Sequence, residues 1–131
     1  KFIEKLSPEM CGIGPFVPHK DTKFKNENHG DVSLVLMLLS IIRLLKPNIL
    51  LPATTALGTV DPLGREKGIL HGANVVMPNL SPVKHRKDYS LYDNKICTGD
   101  EAAQCIGCLA DRMEKIGCEI VTDRGDYKAD I

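Results

Sequence analysis

Three cysteines near the C-terminal end, Cys97, Cys105 and Cys108, give the chain its clearest chemical signal, in the spacing C-x7-C-x2-C. Residues 100–113 read as a helix, with Asp100 as its N-cap and Glu101, Ala102, Ala103 and Gln104 as good helix formers. Positions three apart on a helix share a face, with Cβ atoms about 5–6 Å apart. Cys105 and Cys108 can therefore offer two thiolates to one metal centre, with Cys97 arriving from the preceding loop. Two cysteines alone would read as small buried hydrophobes; the third tips the balance to a metal site. Three thiolates leave one position open. A continuous helix puts Cys118 about 15 Å beyond Cys108 at 1.5 Å per residue, which favours an external or non-protein fourth ligand unless Gly117 breaks the helix. A four-thiolate zinc site would want a second C-x2-C pair, and the sequence has none. Iron–sulfur is thus preferred to zinc.

A second group of candidates sits where strands are expected to end. Thr54 and Thr55 follow the apolar run 49–53, and functional groups in parallel α/β folds collect at the C-terminal ends of strands. Two adjacent hydroxyls suit a carboxylate or phosphate; capping the next turn is an equal alternative. Tyr89 and Tyr92, two of the three tyrosines, lie close enough in sequence to look into one cavity, with packing as the alternative. His19, alone in a polar loop, reads as solvated, and Arg65-Glu66 as an exposed charge pair or helix start. Gly12 and Gly14 are not a dinucleotide fingerprint, because no third glycine opens a helix. Cys11 reads as core.

The elements that must carry these residues are βα units. Residues 2–6 look like the end of a helix closed by Ser7-Pro8. The glycine-rich run 10–17 suits a buried strand. After a polar loop, Asp31 caps a helix over 32–45 that Pro47 ends. A second strand over 48–54 leads through 55–59 into an Asp61-Pro62 turn. A helix over 64–71 stopped by Gly72, a third strand over 73–78 and a short helix over 81–91 follow. Strand, helix, strand, helix, strand is the pattern of a parallel sheet. With 131 residues the length suits one domain, and 17 basic against 17 acidic residues give no footprint for nucleic acid or an anionic membrane. The apolar run 32–42 falls short of the roughly 20 residues of a membrane span. No signal peptide is visible, and five cysteines, two of them three residues apart, point to a reducing cytoplasm and away from a disulfide scaffold. The opening at Lys1, inside an apparent helix end, reads as a piece cut from a longer protein.

Three blocks, in order, carry a resemblance: Cys11-Gly12-Ile13-Gly14-Pro15-Phe16-Val17-Pro18-His19-Lys20-Asp21-Thr22, Pro52-Ala53-Thr54-Thr55-Ala56-Leu57-Gly58-Thr59, and Gly72-Ala73-Asn74-Val75-Val76-Met77-Pro78-Asn79. Together they closely resemble the HydE family, radical S-adenosylmethionine (SAM) maturases of FeFe hydrogenases related to biotin synthase. The resemblance runs from Met10 to about Gly117 and marks the chain as the C-terminal half only. It implies the last three strands of a (β/α)8 TIM-type barrel over residues 1–92, with a C-terminal helical extension over 93–131 that bears the cysteines.

The resemblance also implies site residues. Thr54, Thr55, Tyr89 and Tyr92 match an internal substrate and anion cavity. Gly12, Ile13 and Gly14 match the strand whose backbone approaches SAM. Cys97, Cys105 and Cys108 match ligands of an auxiliary 2Fe–2S or 4Fe–4S cluster found in some members. SAM and the catalytic 4Fe–4S cluster would be held mainly by the N-terminal half of the same barrel, since the catalytic C-x3-C-x2-C motif is absent from this sequence. The implied substrate is a small cysteine-derived iron carbonyl/cyanide species, with other hydrogenase maturases as further partners. These residues alone would be inactive, and an isolated three-strand piece, with bare edges, would self-associate. Another biotin synthase-like radical SAM enzyme, the methylornithine-forming type included, or a non-enzymatic iron–sulfur or zinc module remains the alternative; the block over 14–21 speaks against both.

Overall fold

The computed structural model describes residues 1–89, 91–96 and 102–128, with the side chains of residues 87 and 102–105 outside that description. Its helices are α1 (Phe2–Leu6), α2 (Val32–Leu45), α3 (Thr55–Val60), α4 (Gly64–Leu70), a 3-10 helix (Val83–Tyr89) and α5 (Ala102–Glu114). α1 stops at Ser7, which adopts the left-handed conformation at φ 46°. α2 starts where Asp31 accepts a hydrogen bond from the Ser33 N–H at 2.8 Å, as an N-cap should. One face of α2, with Val35, Leu36, Leu39 and Ile42, is buried.

The three expected strands are present as neighbouring parallel segments, but among the described residues none is a regular strand. Each contact is a single parallel bridge, Met10 with Leu50 and Pro52 with Val75. Leu50 donates to the Glu9 carbonyl at 3.0 Å and accepts from the Cys11 N–H at 2.9 Å. The next rung toward the first segment would need an N–H at residue 52, which proline lacks. On the other side Ala53 donates to Val75 at 2.9 Å, and Val75 donates to Leu51 at 3.1 Å. The Leu51 N–H is taken by the Asn74 side-chain oxygen at 2.8 Å, so a side chain replaces the ladder there. Proline in the middle segment and asparagine in the third thus cut the expected strands to bridges.

The connectivity is still segment, helix, segment, helix pair, segment. α2 and α4 touch each other, and the core gathers Val35, Leu36, Leu39 and Ile42 of α2 with Ile49, Leu51, Ala53, Leu57 and Ala73. Leu39, Ile49, Leu51 and Leu57 are fully buried, each contributing about 1.5–3 kcal/mol. α3 and α4 form a close hairpin. A side chain at Gly64 would sit 2.2 Å from the Leu57 carbonyl oxygen, and one at Gly68 3.2 Å from the Ala53 Cβ. Residues 55–59, expected as a lead-in to a turn, are therefore helical, because Thr54 caps them and two glycines let α4 close on α3.

Side chains alternate across an extended segment. Cys11 and Ile13 pack toward the helices, whereas Met10, Gly12, Gly14 and Phe16 lie on the opposite, exposed face. Met77, next to the core-packed Val76, is exposed too. The helical layer covers one side of these segments and leaves the other open.

Candidate functional site

The open face brings two of the expected site residues together. Gly14 lies against Thr54 so closely that a Cβ at position 14 would fall 2.6 Å from Thr54 Oγ1. Thr54 Oγ1 accepts from the Leu57 N–H at 3.3 Å and so caps α3, the plainer of its two expected roles. The hydroxyl proton is left over from that bond and remains a donor. Thr55, half-buried, opens α3, and its carbonyl accepts from the Thr59 hydroxyl at 3.0 Å. Gly12 is exposed on the same face, while Ile13 points into the core.

The tyrosines sit elsewhere. Tyr89 ends the 3-10 helix and lines an open cleft of about 530 Å³ with Ser81, Pro82, His85 and Asp88, apart from the two threonines. Tyr92 is half-buried in the loop that follows. The loop before them is tied by Arg86, buried, which donates to the carbonyls of Ser81 at 2.8 Å and Asn79 at 3.1 Å. His19 is a turn residue, its Nδ1 accepting from the Asp21 N–H at 3.1 Å.

Of the cysteines, Cys97 lies outside the described residues and Cys105 is described by its backbone alone. α5 places positions 105 and 108 one turn apart, as expected, and Cys108 is a free, exposed thiol. Among the described residues no three potential ligands converge. Of the expected ligand set, the described residues show the Cys108 thiol at the surface and a second cysteine position one turn before it. Cys118 lies beyond the end of α5, where Gly117 turns left-handed at φ 76° and the Cys118 N–H donates to the Met113 carbonyl at 3.0 Å.

What anchors this region escaped the sequence reading. Arg65 and Glu66, expected as an exposed charge pair or a helix start, do lie in the first turn of α4 but are buried and not exposed, because the glycines at 64 and 68 draw α4 tight against α3. Arg112 of α5 grips the Glu66 carboxylate with both arms of its guanidinium, Nε on Oε1 and Nη2 on Oε2 at 2.6 Å. Nη2 also donates to the Pro62 carbonyl at 2.5 Å. Burial alone would raise the Glu66 pKa. The hydrogen bond from Arg112, one from its own backbone and the charges of Arg112 and Arg65 outweigh that, and the carboxyl is held below its ordinary value of 4.5. Leu109 and Met113 flank Arg112 on the buried side of α5. A charge set within that apolar stripe was the available signal, since a buried charge requires a partner.

The segment entering Cys97 is held as well. Asp93 donates to the Pro18 carbonyl at 3.1 Å. Ile96, the residue before Cys97, places its Cδ1 2.9 Å from where a Gly58 Cβ would be. A shallow cleft of about 350 Å³ lies beside it, lined by Val17, Pro18, His29, Thr59, Val60 and Asp93 among others.

No protein-family model matches the chain. Among curated proteins it is similar to the FeFe hydrogenase maturase subunit HydE of Thermotoga maritima, 42% identical over 127 residues. The match covers 97% of this chain and 36% of that protein, in its C-terminal part. The resemblance carried by the three sequence blocks therefore holds, over a little more than a third of the relative and not the expected half. Among the described residues no helix is long and apolar enough to cross a membrane.

Proposed function

We propose, from the premise that this chain corresponds to the C-terminal part of HydE, that it forms one wall of a radical SAM barrel in FeFe-hydrogenase maturation. The observation that carries the reading is the 42% identity across nearly the whole chain. Three parallel segments with helices on one side and an open face on the other are what a section of a (β/α)8 barrel would supply, the open face becoming the interior. The segments over residues 1–92 would be the closing βα units, and 93–131 the extension.

Within that barrel the threonines act on substrate. Thr54 and Thr55 stand at the C-terminal end of the middle segment, and their hydroxyls donate to a carboxylate of a cysteine-derived iron carbonyl/cyanide substrate. Gly14 keeps the floor beside Thr54 clear, and with Gly12 leaves bare backbone for SAM. Tyr89 and Tyr92 border the cavity once the rest of the barrel encloses it. A bound 4Fe–4S cluster with SAM supplies the radical chemistry, and its ligands belong to the preceding part of the polypeptide. Cys97, Cys105 and Cys108 would hold an auxiliary iron–sulfur cluster. These residues alone would be inactive, and the working enzyme would operate in the cytoplasm beside other maturases.

The test is anaerobic reconstitution of the full-length protein with iron and sulfide, followed by SAM cleavage and hydrogenase activation assays. SAM cleavage with activation is expected. Replacing both threonines, Thr54→Val with Thr55→Val, should raise the substrate concentration needed and leave SAM binding intact. A full-length protein without a C-x3-C-x2-C motif, or one that fails to cleave SAM, overturns the proposal.

A further inference from the structure

We infer that the flank of α2 turned away from α4 is the joint to the preceding part of the polypeptide, and that a helix of that part lies along it. The inference rests on the reading of this chain as the closing section of a barrel. Leu34, Leu38, Ile41 and Leu45 recur along α2 at spacings of four, three and four, the a/d spacing by which one helix seats another. They stay 38–48% exposed, although each is large and apolar. α2 carries a second row of the same kind, Val35, Leu39 and Ile42, and that row is buried in the core. A third side meets α4, where Ser40 Oγ donates to the His71 carbonyl at 3.2 Å and Arg43 Nε to the Gly72 carbonyl at 2.8 Å. Two of the three polar side chains of α2 thus serve a side already filled, and the open row has none. A helix that is apolar nearly all round belongs in an interior, so solvent is not the neighbour this flank is built for.

The order of the segments says what belongs there. The first segment bridges the second and the second bridges the third, so chain order is spatial order and α4 follows α2 on one side. The unit before the first segment then belongs on the other side. Among the described residues the first segment has no bridge on that side either, so an open backbone edge and an open helix flank face the same way. α1 marks the approach: Ile3 packs against the core, and Ser7 Oγ accepts from Lys46 Nζ at 3.0 Å. Its five residues reach about 7.5 Å, whereas the row from Leu34 to Leu45 runs about 16 Å. α1 alone leaves the row uncovered. The relative supplies the missing length, because the match takes up 36% of it, in its C-terminal part. The occupant is therefore a helix from the part that precedes this section, nearly aligned with α2 at a crossing angle of about 20°, as the four-three spacing requires. A second copy of the chain would cover the helix row and leave the segment edge beside it bare.

The experiment uses the full-length protein as Leu34→Cys, Leu38→Cys or Leu44→Cys, labelled by a small thiol reagent under native conditions and read at each position by mass spectrometry. Leu44 belongs to neither row and is 81% exposed, so its variant reports the open surface of the same helix. Labelling at positions 34 and 38 should run at least about ten-fold slower than at 44, more than their own difference in exposure accounts for, and dilution should not change the ratio. Leu38→Lys should lower the urea midpoint, whereas Leu44→Lys should leave it near the parent's. Labelling at 34 and 38 as fast as at 44 means an open flank and overturns the inference. Protection that disappears on dilution, with a fall in mass by light scattering, makes the occupant a second copy and overturns it as well. Should Leu38→Lys fail to fold, the labelling decides. SAM cleavage by the reconstituted parent keeps the two readings apart. Cleavage with an unprotected flank overturns the joint alone, whereas a protected flank in a protein that cleaves no SAM overturns the maturase reading and leaves the joint standing.

Discussion

The threonine region and the cysteine region are held by different forces. Around Thr54, α2, α3 and α4 bury a continuous apolar cluster, and the segment carrying the threonine runs through its middle. Among the described residues, α5 buries Leu109 and Met113 and ties Arg112 to Glu66 and to the Pro62 carbonyl, and the chain before Cys97 is held in part by Ile96 and by the backbone hydrogen bond from Asp93. Apolar burial scales with area and is indifferent to pH. A buried ion pair is directional and is lost with either partner. The first region should therefore resist change at any one residue outside its core, whereas the second should hinge on very few.

The largest effect expected is in the first region. Leu39→Ala empties a fully buried position of α2 and should cost about 3 kcal/mol, read by urea unfolding of the full-length protein. A loss below about 1 kcal/mol would mean that this cluster is not the stabilising core. Glu66→Gln comes next. It removes the charge that Arg112 grips and should cost about 2 kcal/mol, with hydrogen exchange accelerated in α5 and not in α2. Uniform acceleration would erase the contrast between the two regions.

That contrast also explains what could be read from sequence. α2 was legible to the residue, because Asp31 caps it and apolar positions recur along one face, and the cysteine helix, the Gly72 stop and the order of the segments were legible for similar local reasons. Strand content was not. Pro52 and Asn74 look innocuous in an apolar run, yet one removes a ladder donor and the other supplies a competing acceptor. Nor was α3, whose helix depends on Thr54 turning its hydroxyl to Leu57. The Glu66–Arg112 pair joins residues 46 positions apart, and local patterning carries no information about such a partner. The three sequence blocks made the family likeness legible, but they say nothing of how the cysteines are braced. Cys97 and the Cys105 side chain lie outside the described residues, so their convergence stands as a proposal.

A smaller and more specific effect follows from acidity. The Glu66 carboxyl is held below 4.5 by Arg112 and neighbouring donors. A folded-state pKa below the unfolded one contributes stability in full above the unfolded value, and the contribution is lost as pH falls through the folded one. The advantage of the parent over Glu66→Gln should therefore be constant from neutrality to about pH 5 and shrink below 4.5. Melting of both proteins across that range checks it, and a gap that closes near neutrality would place the source of the pair's stability in some other group.

The smallest effect concerns Thr54, where the two regions meet. Its hydroxyl caps α3 by accepting from Leu57, and α3 carries the Gly58 notch. Thr54→Val keeps the shape and removes the acceptor, which should cost about 1 kcal/mol. Thr54→Ser restores the cap and should recover most of that loss. If the proposed substrate contact is also real, the two variants part company with Thr55→Val. Thr55 donates no cap, since its position is the first residue of α3, so Thr55→Val should lower substrate affinity with little change in melting. Thr54→Val should lower both. Thr54→Val that changes melting alone would confine the residue to capping.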